Sequence, residues 1–357
     1  MPEPQDPLRL GILGCARIAG VFCHHVASGP APSRQVRVVA VASRRAETAA
    51  AFAATHGIAR HHGSYEALLA DREVDAVYLP LPNSLHAEWA VHAAEAGKHV
   101  LCEKPLALSR AEAQAMFGAA RKRGVMLLEG YPYWFQPQTA DMVSLLEAGA
   151  IGRVRSVHAG FGFMLASRQG NIRMNPELGG GALLDAGSYP LSLIRLVMGE
   201  APVRVRADAS WSGGAPGAGV DTSASATLFY ADGRRALMSC AMDVATYRRA
   251  TVLGEAGVIE TEYLNHTSEQ PRGDAFGHLT SQLRVRRGTA NHLPFEEVRS
   301  ATGSGFRFAA EAFARVVAER DFEAIERAAA ASLDIAATLE ALAVSARRGV
   351  EVAVAQH

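Results

Sequence analysis

A short apolar run, Leu8–Leu13, breaks at Gly14-Cys15-Ala16 and passes directly into helical sequence, and the same alternation repeats as far as residue 128. Runs at Val36–Ala42, 74–79, 99–102 and 125–128 have strand character, while 46–55, 85–96 and Arg110–Arg123 carry Ala-rich amphipathic helix patterns. Strands separated by helices cannot close as hairpins. They need crossovers, which line them up in parallel with helices on the sheet faces. Residues 1–130 are therefore expected to form a doubly wound α/β domain of the Rossmann kind.

After Gly149 the pattern changes. Strand-like runs at 154–163, 203–211, 222–230, 236–244, 250–253, 258–262 and Leu283–Arg287 follow one another, mostly with glycine or charged turns between them. Hairpin spacing implies a large open, mostly antiparallel sheet, so residues 131–357 are expected to form an α+β domain. One helical stretch, 180–198, interrupts the strands, and helices at 307–319 and 322–347 end the chain and pack back on either domain. A length of 357 residues suits two cores better than one.

Composition excludes several classes of function. Lys plus Arg equals Asp plus Glu at 36 each, which leaves no electrostatic surface for nucleic acid and no polybasic membrane anchor. The start, Met1 to Pro7, lacks the basic and apolar regions of a signal peptide, and no uninterrupted apolar stretch approaches a bilayer's thickness. The four cysteines are scattered without a Cys-x-x-Cys pair, as in a reduced cytoplasmic protein. His24-His25 and His61-His62 are neighbours rather than a spaced ligand set, so they are read as structural and no metal is expected.

The turn after the first strand reads as a dinucleotide fingerprint. Gly14 takes the first glycine position, permitting the tight turn. Ala16 takes the second, where the backbone nears a pyrophosphate, and Ala19 the third; Arg17 and Ile18 open the helix. The second strand runs out into Ser43-Arg44-Arg45 with no acid to bind a ribose 2′-hydroxyl. A hydroxyl and two guanidiniums suit a 2′-phosphate instead, so NADP is expected over NAD. Leu81-Pro82-Asn83 and His86 follow another strand and are expected to shape the loop around the ribose, with Asn83 capping the next helix.

Ligands of open α/β sheets bind beyond the carboxyl ends of the strands. Glu103-Lys104-Pro105 stands at such an end and is expected to face the nicotinamide. In the second half, Gly179-Gly180-Gly181 opens a helical stretch that contains Asp185 and Tyr189, four apart and so on one face.

Taken in order, Gly-x-x-Gly-Cys-Ala-x-Ile-Ala, Pro-Asn-x-x-His, Glu-Lys-Pro and Gly-Gly-Gly-Ala-Leu-x-Asp-x-Gly-x-Tyr resemble the Gfo/Idh/MocA oxidoreductases over essentially the whole chain. The resemblance is to the branch containing dimeric dihydrodiol dehydrogenase, NADP-dependent xylose dehydrogenase and glucose–fructose oxidoreductase. It implies Lys104 on the substrate hydroxyl, Tyr189 as proton donor or acceptor, Asp185 as a substrate-site partner, Glu103 on the cofactor ribose, and a cis bond before Pro105. A tyrosine ordinarily keeps its proton to about pH 10, so the implied chemistry asks for a cation such as Lys104 beside it. Homodimers or homotetramers, built through an apolar outer face of the open sheet, are implied by the family alone.

The substrate is expected to be a small carbohydrate-like alcohol or ketone, held by aromatic faces and a few polar groups: Trp134, Phe163 and Arg173, with Phe161, Arg168 and Asn171 nearby. The rival from another class is a non-catalytic nucleotide-binding sensor on the same fold. Retention of the Glu103-Lys104 pair and of Asp185 with Tyr189 weighs against it, and against a biliverdin-reductase-like enzyme.

Overall fold

The computed structural model describes residues 6–29, 31–270, 272–274 and 277–356. The reading of residues 1–5 as free of a signal sequence lies outside the described residues. The chain separates into two compact units.

The first unit holds β1 (Leu8–Leu13), α1 (Arg17–Cys23), β2 (Val36–Ala42), α2 (Ala46–His56), β3 (Arg60–His62), α3 (Tyr65–Leu69), β4 (Ala76–Leu79), α4 (His86–Glu95), β5 (His99–Glu103), α5 (Arg110–Arg123) and β6 (Leu127–Gly130). All pairings are parallel, in the order β3-β2-β1-β4-β5-β6. That is the doubly wound order, with its reversal between β1 and β4. The strands are apolar on both faces because helices cover both. Residues 304–330 also belong to this unit, although the sequence reading placed everything after residue 130 in the second domain. The reason is packing. Phe306, at the start of a later helix, meets Phe22 edge to face at 6.2 Å and stacks on His25, and Phe313 of the same helix is fully buried.

The sequence reading missed β3, a three-residue edge strand, because it is too short to show a period. A carboxylate holds it in place. Asp71, 8% exposed, accepts from Arg60 Nε at 2.7 Å and Nη2 at 3.0 Å, lies 3.0 Å from His62 Nε2, and accepts from the Glu73 backbone N–H. Burial alone would raise this carboxyl, but the hydrogen bonds from Arg60, Glu73 and His62 outweigh it and hold it at about 2. Since the folded value lies below the unfolded one, the stabilisation is full above the unfolded value of 3.8 and disappears as pH falls toward 2. Asp71→Asn is expected to cost about 1.5–3 kcal/mol at neutral pH, the scale of charge-assisted hydrogen bonds. In denaturant melts the gap to wild type should close between about pH 5 and pH 2; a constant gap would show that the charge does not hold the strand.

In the second unit α6 (Pro137–Glu147), β7 (Val154–Met164), α7 (Ser188–Met198), β8 (Arg204–Trp211), β9 (Asp221–Phe229), β10 (Arg235–Ala241), β11 (Asp243–Gly254), β12 (Gly257–Thr261), β13 (Leu283–Arg287) and β14 (Glu296–Val298) succeed one another. After α8 (Gly305–Glu319), α9 (Phe322–Arg348) leads to β15 (Val352–Ala353), which closes the sheet. The nine-stranded order is β14-β13-β12-β11-β7-β10-β9-β8-β15, antiparallel throughout except where β10 runs parallel to β7. Two expected strands are redrawn. The run 236–244 breaks after Ala241, and its last residues join 250–253 in the longer β11.

One face of this sheet is buried through Val157, Ala159, Met238, Cys240, Ala226 and Leu228. The other carries His158, Thr251, Ser225, Thr227, Arg206 and Asp208 among apolar side chains, so the outer face implied for self-association is mixed in polarity. Met164, Leu237, Val244 and Tyr247 are exposed apolar residues on it. The Tyr247 ring lies over Gly160 and Gly162, where an added Cβ would collide with it. α9 is long and apolar enough to cross a bilayer, yet 67% of that apolar window is buried inside the protein, as in a core helix.

Candidate active site

In the first unit a candidate nucleotide site forms where β1 meets α1. Gly14 adopts φ +108°, and a Cβ there would sit 2.8 Å from Leu81 Cδ2, so the turn needs a glycine. Its N–H donates to Ala42 O at 2.9 Å, tying the turn to β2. Ala16 is the N-cap of α1 and offers no side-chain acceptor, which leaves the first N–H groups of the helix to an outside anion. Arg17 is exposed and Ile18 half-buried on that first turn.

Around the turn lies a cleft of about 480 Å³ lined by Gly14, Ala16, Ser43, Arg44, Arg45, Leu81 and Pro82, together with Cys15, Thr48, Tyr65 and Pro80. Arg44 and Arg45 are exposed, and neither has a carboxylate partner among the described residues. A narrow glycine turn, open helix N–H groups and two unpaired guanidiniums fit a phosphorylated dinucleotide. Thr48 and Tyr65 were not foreseen. Helix α2 brings Thr48 in, and Ser64, which accepts from the Ala67 N–H, starts the short helix that sets Tyr65.

His86 shapes the loop after β4, as the sequence suggested, but it does so from inside the protein, and Asn83 does not cap the next helix. The His86 ring is fully buried. Its two nitrogens lie 2.9 Å from Pro105 O and 2.9 Å from Leu81 O, clamping the loop after β4 to the loop after β5. Burial pushes this imidazole below its ordinary value, against the pull of the two carbonyls. Asn83 starts a 3-10 turn, and the N-cap of α4 is Leu85, without a side-chain cap.

At the end of β5, Glu103 is 7% exposed. Its Oε1 accepts from Tyr78 at 2.7 Å and its Oε2 from the Lys104 N–H at 3.2 Å. The Lys104–Pro105 bond is cis, as the family resemblance implies, and the Leu106 N–H donates to buried Glu129 at 2.8 Å. Lys104 itself is half-buried.

In the second unit the substrate-type residues gather around the start of α7. The stretch Leu183–Gly187 is a π-helical turn that continues into α7, not the regular helix read from the sequence. The glycines before it are explained by close approach: a Cβ on Gly180 would lie 2.5 Å from Arg173 O, and one on Gly181 would strike Asp221. Asp221, which the sequence reading missed, accepts from the Leu183 N–H at 2.6 Å; its carboxyl is raised by burial.

Asp185 bonds Arg173 Nε at 2.5 Å, and the Arg173 guanidinium sits 5.9 Å from the centre of the Phe163 ring. Asn171 caps the turn that carries Arg173, while Arg168 reaches Asp243 at 3.9 Å.

Tyr189 is 6% exposed. Phe161 meets its ring edge-on at 5.3 Å, Arg248 lies 4.7 Å from its centre, and Asn265 Nδ2 donates to its hydroxyl oxygen at 3.2 Å. Trp134 is anchored by its indole N–H to Tyr133 Oη at 2.7 Å, and Tyr133 in turn bonds Ser192. Arg248 and Asn265 were also missed. They come from β11 and from the segment after β12, and an isolated Arg in a strand or Asn in a loop carries no sequence signal.

A family model described as an oxidoreductase family with an NAD-binding Rossmann fold matches residues 8–131, and one for the GFO/IDH/MocA C-terminal domain matches 139–260. The D-xylose 1-dehydrogenase (NADP(+)) 2 of Haloferax volcanii is 35% identical over 97% of this chain and 99% of its own. A trans-1,2-dihydrobenzene-1,2-diol dehydrogenase of Xenopus tropicalis is 32% identical over 83% and 90% of the two chains. Among solved structures, a 3-ketoreductase from Actinomadura kijaniata in complex with NADP and TDP-benzene superposes with a TM-score of 0.81 at 32% identity, covering 96% of this chain and 98% of that one.

Proposed function

The chain belongs to the Gfo/Idh/MocA oxidoreductase family, and on that premise we propose that it is an NADP-dependent dehydrogenase or reductase acting on a secondary alcohol or ketone of a sugar or sugar-like cyclic diol. The observation that carries this reading is that one chain holds both a glycine-turn cleft with two exposed arginines and the buried Tyr189 with its polar and aromatic neighbours. Relatives named for NADP, xylose and a cyclic diol support the same choice.

Ser43, Arg44 and Arg45 hold the 2′-phosphate, Gly14, Ala16, Arg17 and Ile18 receive the pyrophosphate, and Leu81 and Pro82 form the wall of the cleft, with Asn83 behind them. Glu103 orders the loop that carries Lys104. When bound, the nicotinamide supplies or accepts the hydride. Tyr189 gives a proton to the substrate oxygen in reduction and takes it in oxidation, and Lys104 donates a hydrogen bond to that oxygen. Asp185 fixes Arg173 for the remaining hydroxyls, and Phe163 and Trp134 present apolar faces to the sugar ring. Four free cysteines agree with a reducing, cytoplasmic location. A homodimer or homotetramer is carried over from the family alone.

The test is a panel of aldoses, ketoses and cyclic diols, assayed with NADP and NADPH by nicotinamide absorbance. Turnover of about 1–100 s⁻¹ on at least one sugar is expected. Tight NADPH binding with no turnover across the panel would favour the sensor reading instead.

A further inference from the structure

We propose that Asn265 both positions the Tyr189 hydroxyl and selects substrates that carry a second hydroxyl on the carbon next to the reacting one; this rests on the reading of Tyr189 as the proton-transfer group.

The two ends of one amide are used unequally. Nδ2 donates to Tyr189 Oη at 3.2 Å. Oδ1 is buried and has no hydrogen-bond partner among the described residues. A buried carbonyl oxygen without a donor is uncommon in folded proteins and calls for an explanation. A hydroxyl brought by a ligand is a donor that would satisfy it. Both amide atoms are bonded to the same carbon, so the unused acceptor stays beside the phenol oxygen. A vicinal diol, or the corresponding hydroxy ketone, offers two oxygens at a matching separation: one for Tyr189, the neighbour for Asn265.

The amide is built onto a fixed frame. Gln136, 2% exposed, donates through Nε2 to Asn265 O at 2.8 Å and to Gly303 O at 2.9 Å. Its Oε1 accepts from Thr267 Oγ1, which also accepts from the Gly303 N–H at 3.0 Å. On the other partner, Phe161 and Arg248 fix the plane of the Tyr189 ring. With ring and amide both held, one lone pair of the phenol oxygen is occupied by Asn265, which restricts where the hydroxyl proton points. In reduction that proton goes to the substrate oxygen as the carbonyl carbon gains hydride; oxidation reverses both transfers.

The experiment compares wild type, Asn265→Ala and Asn265→Asp on D-xylose and 2-deoxy-D-xylose with NADP. The deoxy sugar lacks the hydroxyl beside C1. Wild type is expected to prefer D-xylose in kcat/KM by about 100-fold or more, since a site built to bond a hydroxyl rejects the analogue without it. Asn265→Ala should lower kcat on D-xylose by about tenfold, one positioned hydrogen bond, and cut the preference to about threefold or less. Asn265→Asp keeps an acceptor without the donor, so it should lose kcat while retaining the preference. NADPH affinity and melting temperature unchanged in both variants separate this from loss of structure.

An Asn265→Ala enzyme with wild-type kcat and wild-type preference overturns the proposal; lowered kcat with the preference intact overturns its selection half. Wild-type protein inactive on both sugars would count against the proposed function instead. Binding of the two sugars to NADPH-saturated protein, followed by nicotinamide fluorescence, then decides the matter: a preference lost in Asn265→Ala supports selection, and no preference in wild type overturns it.

Discussion

Tyr189→Phe is expected to lower kcat by about 10²–10⁴-fold, the usual contribution of a positioned general acid or base, while NADPH affinity stays within about twofold of wild type. The substitution removes one oxygen and leaves the rest of the side chain. The ring keeps its edge contact with Phe161 and its place against Arg248, so packing in the second unit should survive. Asn265 Nδ2 loses an acceptor, a local cost that bears on stability more than on cofactor binding. The nucleotide cleft is lined by first-unit residues alone, which is why its affinity should be insensitive. An interaction made only in the transition state lowers kcat and kcat/KM together, whereas a lost substrate contact raises KM with kcat preserved. Full turnover in the Phe variant would remove Tyr189 from the mechanism and leave Lys104 to handle the proton.

The second large effect is on cofactor choice. Arg44→Ala, and more so Arg44→Ala with Arg45→Ala, should weaken NADPH binding by about 10–100-fold and leave NADH within about twofold, because the dinucleotides differ only in the 2′-phosphate that the guanidiniums are assigned to hold. Hydrogen bonds to charged groups contribute about 1.5–3 kcal/mol each, and every 1.4 kcal/mol is a factor of ten. Both side chains are exposed, so salt should screen part of the effect, and wild-type NADPH affinity should fall with ionic strength more steeply than that of the double variant. Fluorescence titration of the six protein–cofactor pairs reads this directly. Wild-type protein that binds NADH as tightly as NADPH would overturn the assignment of Ser43-Arg44-Arg45.

Much of the first unit was legible along the chain. The strand–helix alternation gave a parallel sheet whose observed order is β3-β2-β1-β4-β5-β6, and Gly14 was marked by a turn that the structure shows at φ +108°. Only the structure shows how His86 acts. A Pro-Asn-x-x-His pattern reads as a loop around the ribose, and the ring lies inward with its two nitrogens 2.9 Å from carbonyls on the separate loops after β4 and β5. The domain division shifted for a similar reason: α8 carries Phe306 and Phe313 on its apolar side, and only packing decides which unit receives them.

The second unit shows where sequence stops being informative. Asp185 and Tyr189 were read four apart on one helix face, but the π turn and the loop carrying Arg173 engaged Asp185 in an ion pair. Asn265 reaches Tyr189 across 76 residues, and Arg248 arrives from a different strand. By itself the sequence determined what depends on neighbours in the chain: strand and helix period, the glycine turn, the arginine pair, and the Glu103-Lys104-Pro105 junction. Which side chains surround Tyr189, and which buried atoms remain unsatisfied, was decided by the tertiary structure, because sheet register and loop packing bring together residues whose separation along the chain carries no periodic signal.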